Sequence, residues 1–175
     1  QRKAQGFTVI QSEPLGATFR FVDGIKQNDM AGFATNDKKF KIIAENGLVH
    51  ANSQFFFPSE MRQFVLNNGG WSTTKVAGTS AESDGSVVVY DMTDSAKAAL
   101  RTASRYWVAR YGAYPVMWTL GQEIDNDFYW ERGEHSEWNY VNNPYLYVAE
   151  CIAEFDAYKH PLTGHMEGVS RTNLS

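Results

Sequence analysis

Residues 113–123 read AYPVMWTLGQE and predict a buried strand that ends at a glycine and a carboxylate. The apolar run is of strand length, which is typical of the parallel strands of α/β proteins. A helix precedes it, because apolar residues recur at helical spacing between Thr93, an N-cap, and Gly112, where the helix ends. Gly121 and Glu123 therefore follow the carboxyl end of the strand directly.

The same alternation of strand and helix recurs along the chain. Strand-like segments begin near residues 6, 48, 113 and 162. Asn143-Pro144 predicts the start of another helix, which ends before His160-Pro161. A further helix is expected from Asp37, capped by Thr35 or Asn36, as far as Gly47. The second strand is expected to continue to Phe57.

The segments between these elements are less regular. Residues 12–36 are predicted to be a long loop, and residues 58–90 to be irregular apart from a turn at 67–70 and a short strand at 87–90. Repeated strand–helix units predict an α/β fold with a parallel sheet and right-handed crossovers. Two closures remain open, a doubly wound sheet and part of a (β/α)8 barrel. Residues 112–121 contain no GxGxxG, which disfavours a dinucleotide site.

Composition narrows the functional class. The chain has 175 residues, 25 of them aromatic, and a formal net charge of −4. It has no basic cluster that would indicate nucleic-acid binding and no apolar run of about 20 residues to span a membrane. The single cysteine, Cys151, excludes an intramolecular disulfide and a thiolate-rich zinc site. The chain begins at Gln1, so a processed or truncated product is expected.

Residues 106–123, YWVARYGAYPVMWTLGQE, resemble the apiosidase-like glycoside hydrolase family. Residues 156–165, DAYKHPLTGH, resemble another segment of the same family, and residues 6–11 and 46–49 fit more loosely. The two longer motifs are hard to match by chance, and the resemblance spans most of the chain. The family consists of (β/α)8 barrels, often described as a domain of unknown function beside a domain thought to bind collagen.

The resemblance implies a partial barrel. Residues 1–175 would form a single partial catalytic-barrel domain that holds roughly the second to fifth strands. Glu123 would be the general acid/base of a glycoside hydrolase that cleaves O-glycosidic bonds, and the second carboxylate would lie outside this chain, with Glu167 as a fallback within it. Plant pectic or other complex glycans are the implied substrates, and a secreted or periplasmic location is implied.

Other residues are predicted to contact the substrate from the carboxyl ends of the strands. Gln122 offers an amide to a sugar hydroxyl, and an aromatic loop at 128–130 with Trp138 and Tyr140 offers stacking surfaces. The remaining candidates for substrate contact are Trp118, His165, Gln54, Asn52 and Glu167. His160 and Cys151 are predicted to be structural, and His50 to be a core or bottom-face residue. No cofactor and no metal are expected, since the histidines form no HExxH motif.

Two other functional classes remain open: a non-catalytic carbohydrate-binding or structural barrel, and an open-sheet protein that binds a small ligand. Four parallel strands would cover half of a barrel and leave two unpaired edges. We therefore expect those edges to pair with the rest of the same barrel or with another copy. The expected partner is otherwise an oligosaccharide or polysaccharide, with no nucleic acid and no membrane span.

Overall fold

The computed structural model describes residues 3–12, 30–55, 57–77, 86–124 and 143–166. Within these ranges the chain is a mixed α/β structure with a four-stranded parallel sheet, an antiparallel hairpin and four α-helices. The elements in chain order are β1 (Val9–Gln11), α1 (Met30–Glu45), β2 (Val49–Asn52), α2 (Pro58–Asn67), β3 (Trp71–Ala77), β4 (Ser86–Met92), α3 (Asp94–Tyr111), β5 (Val116–Thr119), α4 (Pro144–Phe155) and β6 (Leu162–Thr163).

The parallel sheet has the strand order β1-β2-β5-β6, so it grows in one direction along the chain. Each neighbouring pair is parallel, with His50 opposite Val116 and Trp118 opposite Leu162. Crossovers between parallel strands are right-handed. Because each new strand is added on the same side of the previous one, the connecting helices all lie on the same face of the sheet. The β3–β4 hairpin and α2 are both inserted in the crossover from β2 to β5.

Helices α1, α3 and α4 pack side by side in that order. The ring of Phe40 in α1 stacks on Tyr111 in α3, with 3.9 Å between ring centroids. Arg110 in α3 donates two hydrogen bonds to the Asp37 carboxylate of α1, at 2.8 and 2.5 Å. Arg101 in α3 donates to the Glu154 carboxylate of α4 from both terminal guanidinium nitrogens, Nη1 and Nη2. The central helix α3 therefore contacts both of its neighbours, and the three helices form one layer.

Local signals predicted the ends of two helices. The Thr93 hydroxyl accepts from the Ala96 amide at 3.2 Å, and the Asn143 side chain accepts from the Tyr145 amide at 2.9 Å ahead of Pro144. Both predicted N-caps are confirmed. The predicted end of α3 at Gly112 is also confirmed. A Cβ at this position would lie 2.7 Å from the carbonyl oxygen of Val108, so the backbone at the end of α3 leaves no room for a side chain.

The predicted start of α1 is wrong. The helix begins at Met30 rather than Asp37, and Thr35 lies inside it, where its hydroxyl donates to the Ala31 carbonyl oxygen at 3.0 Å. Asn36 is fully buried within the helix instead of capping it. The extra turns form because Phe33 falls seven residues before Phe40 on the same helix face, and both rings are buried in the core.

The region after β2 is more regular than the sequence predicted. β2 ends at Asn52 rather than Phe57, and α2 begins at Pro58, a residue whose fixed φ suits the first turn of a helix. Met61 and Phe64 then bury the apolar face of α2. The turn at 67–70 is confirmed, and the strand expected at 87–90 lies within β4. β6 is shorter than expected.

None of the helices in the described ranges is both long and apolar enough to cross a bilayer.

A buried carboxylate joins β5 to the end of α4. Asp156 is 2% exposed and accepts hydrogen bonds from the Trp118 indole at 2.8 Å and the His160 amide at 2.9 Å. Burial alone would raise the pKa of this carboxyl, but these hydrogen bonds and the His160 ring lower it below its ordinary value. The ring of His160 also contacts Asp156 at 3.0 Å, which confirms the structural role predicted for that histidine.

We expect Asp156→Asn to lower the free energy of unfolding by about 1–3 kcal/mol, because hydrogen bonds to a buried charged acceptor are replaced by weaker ones. Urea denaturation at neutral pH measures the loss. Asp94→Asn, on the exposed first turn of α3, is the matched control and should cost a few tenths of a kcal/mol. Equal losses for both variants would contradict the buried network.

Candidate functional site

The carboxyl ends of the parallel strands lie along one edge of the sheet, where binding and catalytic groups gather in parallel α/β folds. Glu123 follows β5 by four residues and is half-buried. His165 follows β6 by two residues and is exposed. Backbone hydrogen bonds continue past both strand ends, so this edge is ordered where the predicted site residues lie.

Three backbone hydrogen bonds place Glu123 opposite His165. The Leu120 amide donates to the Thr163 carbonyl at 2.7 Å, and the His165 amide donates to the Gly121 carbonyl at 3.1 Å. The Ile124 amide then donates to the carbonyl of His165 at 3.1 Å. Gln122 and Glu123 therefore form a two-residue bulge against one residue of the neighbouring segment. This arrangement confirms the expectation that Glu123 and His165 lie at the same end of the sheet.

The backbone of Glu123 has φ of +50°, in the left-handed region that favours glycine. A glutamate held there is strained, and such conformations persist only where the surrounding structure imposes them. Among the described non-glycine residues, Lys159, in the turn between α4 and β6, also has a positive φ, of +55°. Such conformations cluster at active sites and ligand clamps, and of these two residues only Glu123 lies at the carboxyl end of a strand.

Close packing on both sides holds the bulge in place. A Cβ on Gly121 would lie 2.9 Å from the Phe55 carbonyl oxygen and 2.9 Å from the Tyr145 ring, so only glycine fits this approach. On the other side, the buried Ile124 side chain lies over Gly164, where a Cβ would come within 2.4 Å of it. The bulge is thus confined between α4, the segment after β2 and the segment after β6.

The N-terminus of α4 adds a polar tie to the same bulge. The Asn143 side-chain amide donates to the Ile124 carbonyl at 2.7 Å, while its oxygen caps the helix. The Tyr145 hydroxyl donates to the Phe55 carbonyl at 3.3 Å, and burial raises the pKa of this phenol well above its ordinary value. The capping motif was readable from the sequence, but nothing in the sequence indicated that Asn143 and Tyr145 hold Glu123 in position.

A second polar network joins β1 to β2. The hydroxyl of Ser12 lies 2.6 Å from Nε2 of His50, and the Asn52 amide lies 3.2 Å from the same atom and donates to the Ser12 carbonyl at 2.7 Å. Both neighbours donate to Nε2, so the proton of the neutral ring is on Nδ1. Burial, and secondarily the charge of Lys39, lower the pKa of His50 to about 4. His50 is a core residue, as expected.

The structure separates the predicted substrate contacts into two groups. Gln122, Glu123 and His165 lie together in and opposite the bulge. Trp118 is 1% exposed, and its indole N–H is bound to Asp156. The buried Gln54 amide donates to Ser104 in α3 at 3.0 Å, so this side chain joins the sheet to the helix layer. Asn52 is also buried, in the His50 network.

Several predicted groups fall outside the described residues: Glu167, the aromatic loop at 128–130, Trp138 and Tyr140. Cys151 is buried, in agreement with its predicted role, and burial raises the pKa of its thiol. Among the described residues, no group of three or more histidine, cysteine or acidic side chains is arranged to hold a metal ion.

Comparison with solved structures shows a likeness of fold. The chain is similar to a protein of Bacteroides vulgatus ATCC 8482 whose crystal structure was described as that of a "putative glycoside hydrolase". The TM-score is 0.55 at 13% sequence identity, over 92% of this chain and 29% of the other. At this identity the likeness shows the fold, and the chain spans less than a third of that protein. No protein-family model matches the chain, and no curated protein does.

Stability should fall as the pH falls from 6.5 to about 4, because the unfolded chain binds a proton at His50 over this range and the folded chain does not. Protonation of this one group accounts for a loss of about 3 kcal/mol at most. Unfolding free energies measured from pH 7 to pH 4 for the parent and His50→Gln test this. The slope should be shallower in the variant, and His165→Gln controls for removal of an exposed histidine. Parallel curves for the parent and His50→Gln would contradict the assignment.

Replacement of Glu123 by glycine should raise the free energy of unfolding by about 0.5–1 kcal/mol, because glycine adopts a positive φ without strain. Glu150→Gly, at an exposed position within α4, is the matched control and should lower stability by about 1 kcal/mol. Thermal unfolding of both variants measures the difference. A loss of stability in Glu123→Gly as large as in the control would show that the backbone at Glu123 stores no strain.

Proposed function

We propose that this chain forms part of the catalytic barrel of a glycoside hydrolase, in which Glu123 is the general acid/base for cleavage of an O-glycosidic bond. The observation that carries the proposal is the strained and tightly held backbone of Glu123 at the carboxyl end of β5. General acid catalysis needs a carboxyl group fixed near the leaving oxygen, and a rigid strand end meets that need.

The sheet supports the barrel part of the proposal. The one-way strand order and the row formed by α1, α3 and α4 are what four successive units of a (β/α)8 barrel would give, whereas a doubly wound sheet reverses its strand order. We propose that residues 1–175 belong to a single partial domain with roughly the second to fifth barrel strands. The likeness to a larger protein described as a "putative glycoside hydrolase" agrees with this assignment.

Glycoside hydrolysis requires a second carboxylate. Its distance from Glu123 would be about 5–5.5 Å in a retaining enzyme and about 6.5–9.5 Å in an inverting one. We propose that this group lies outside the chain, with Glu167 as the candidate within it. Gln122 and His165, beside Glu123, are the proposed substrate contacts. The proposed family is the apiosidase-like hydrolases, the proposed substrate a pectic or other complex glycan, and the proposed location secreted or periplasmic.

Glu123→Gln should lower turnover by roughly 10²–10⁴-fold in the whole enzyme, since it keeps the shape of the side chain and removes the proton donor. Activity is measured as the appearance of new reducing ends in pectic oligosaccharides, and mass spectrometry identifies the products. The loss should be smaller with a dinitrophenyl glycoside, whose leaving group departs without protonation. Glu150→Gln, on the exposed face of α4, controls for the removal of a carboxylate.

Unchanged turnover in Glu123→Gln would contradict the assigned role. A parent protein that binds these oligosaccharides and never cleaves them would instead indicate a non-catalytic carbohydrate-binding barrel.

The outer strands of the sheet generate a separate prediction. β1 and β6 are exposed along their lengths, and each pairs on one side only within the described residues. Unpaired parallel edges with exposed Val9, Ile10 and Leu162 favour strand addition. We expect residues 1–175, expressed alone, to associate in light-scattering measurements, and Val9→Lys to reduce that association. A monodisperse monomer over a wide concentration range would contradict this.

A further inference from the structure

Two buried hydroxyl groups, one directly after β2 and the other on β5, have no hydrogen-bond partner among the described residues. Ser53 is 2% exposed and Thr119 is 5% exposed, and their hydroxyl oxygens Oγ and Oγ1 are both unpaired there. His50, Asn52 and Gln54 also have one unpaired buried atom each within the described residues, but each of these side chains makes another hydrogen bond. Ser53 and Thr119 make none there, and because buried polar groups are satisfied in the great majority of cases, these two hydroxyls require an explanation.

Both side chains lie on the sheet face opposite the helix layer. The His50 ring of β2 packs edge-on against Phe40 of α1, and Gln54, two residues past the end of β2, donates to Ser104 of α3. Even-numbered residues of this segment therefore face the helices. On β5, Trp118 is bound to Asp156 just beyond α4. Because side chains alternate along a strand, the odd-numbered Ser53 and Thr119 point to the other face.

The two hydroxyls also lie at the same level of the sheet. Ala51 pairs with Met117, so continuation of this register by two residues places Ser53 beside Thr119. Thr119 in turn pairs with Thr163 on β6, which is exposed. Ser53, Thr119 and Thr163 therefore form a row of three hydroxyls across the carboxyl ends of β2, β5 and β6. The row lies just before the bulge that carries Glu123.

We propose that this hydroxyl row is a sugar-binding subsite, in which Ser53 and Thr119 hydrogen-bond ring hydroxyls of the glycan and Thr163 contacts it at the rim. Each side chain offers one donor and two acceptor positions, which matches a sugar hydroxyl in both roles. In a barrel, the face opposite the helices is the interior. The proposal rests on the proposed function, because it places the sugar beside the carboxyl group of Glu123.

Stability and affinity should respond in opposite directions to loss of these hydroxyls. Thr119→Val keeps the side-chain shape and removes an unpaired buried hydroxyl, so the melting temperature of the ligand-free protein should stay equal or rise. Ser53→Ala should behave alike, apart from the small volume lost. Thr102→Val, at an exposed position in α3, is the matched threonine control.

Binding is measured with the whole protein in the Glu123→Gln background, so that the probe is not cleaved. The probe is a set of oligosaccharides released from pectin by mild acid, fractionated by size and titrated by calorimetry. Thr119→Val and Ser53→Ala should each weaken binding by about 3- to 10-fold, as expected for one neutral hydrogen bond. Thr102→Val should leave the affinity unchanged.

The outcomes separate this inference from the proposed function. If Glu123→Gln abolishes turnover but both hydroxyl variants bind the probe as tightly as their background, the subsite is wrong and the proposed function stands. Lower melting temperatures with unchanged affinity would show that the hydroxyls are structural, and would also overturn the subsite. If the background protein binds no pectic fraction and the parent cleaves none, the proposed function and the subsite both fail.

Discussion

The turn that follows β5 depends on two glycines that let neighbouring segments come into contact. Gly121 lies against the Phe55 carbonyl and the Tyr145 ring, and Gly164 lies beneath the Ile124 side chain. Protein interiors are packed too densely to absorb an added methyl group at such contacts. The approach of α4 and of the segments after β2 and β6 to this turn therefore depends on these two positions, and it confines Glu123 to its left-handed conformation.

The helix layer supplies the rigid base beneath this turn. α3 is clamped to α1 by the Phe40–Tyr111 stack and the Arg110–Asp37 pair, while Trp118 joins β5 to the end of α4 through Asp156. The Arg110–Asp37 and Arg101–Glu154 ion pairs are partly exposed to solvent, so they contribute less to stability than the buried aromatic contacts. Most of the stabilisation comes from apolar burial around α3, which lies in the middle of the layer.

Polar groups are unevenly distributed over the two faces of the sheet. On the helix side, Asn52 and Gln54 each use the amide nitrogen for a hydrogen bond, and the His50 ring accepts at Nε2. On the other side, Ser53 and Thr119 are buried with their hydroxyls unpaired within the described part of the chain. On the helix face these bonds join β2 to α3 and to the segment after β1, although each of the three side chains also has one unpaired polar atom within the described residues. On the opposite face, the hydroxyls of Ser53 and Thr119 make no hydrogen bond at all in that part of the chain.

The sequence alone determined the elements whose signals are local. Helix ends are marked by Thr93, Asn143-Pro144 and Gly112, through capping and backbone geometry that involve only neighbouring residues. The strand around Trp118 is indicated by its apolar run. The parallel sheet followed from the alternation of these elements. The start of α1 did not, because its first turns depend on burial of Phe33 against α3.

The tertiary structure alone decided which predicted site residues share a site. The sequence pattern placed Trp118, Gln54 and Glu123 near strand ends. However, successive side chains along a strand point to opposite faces, so a shift of one residue changes the sheet face that a side chain occupies. Trp118 and Gln54 face the helices, whereas Glu123 is set apart by a bulge whose conformation is imposed by Asn143, Tyr145 and His165 from distant parts of the chain. Such contacts leave no local signal, because each depends on segments that only folding brings together.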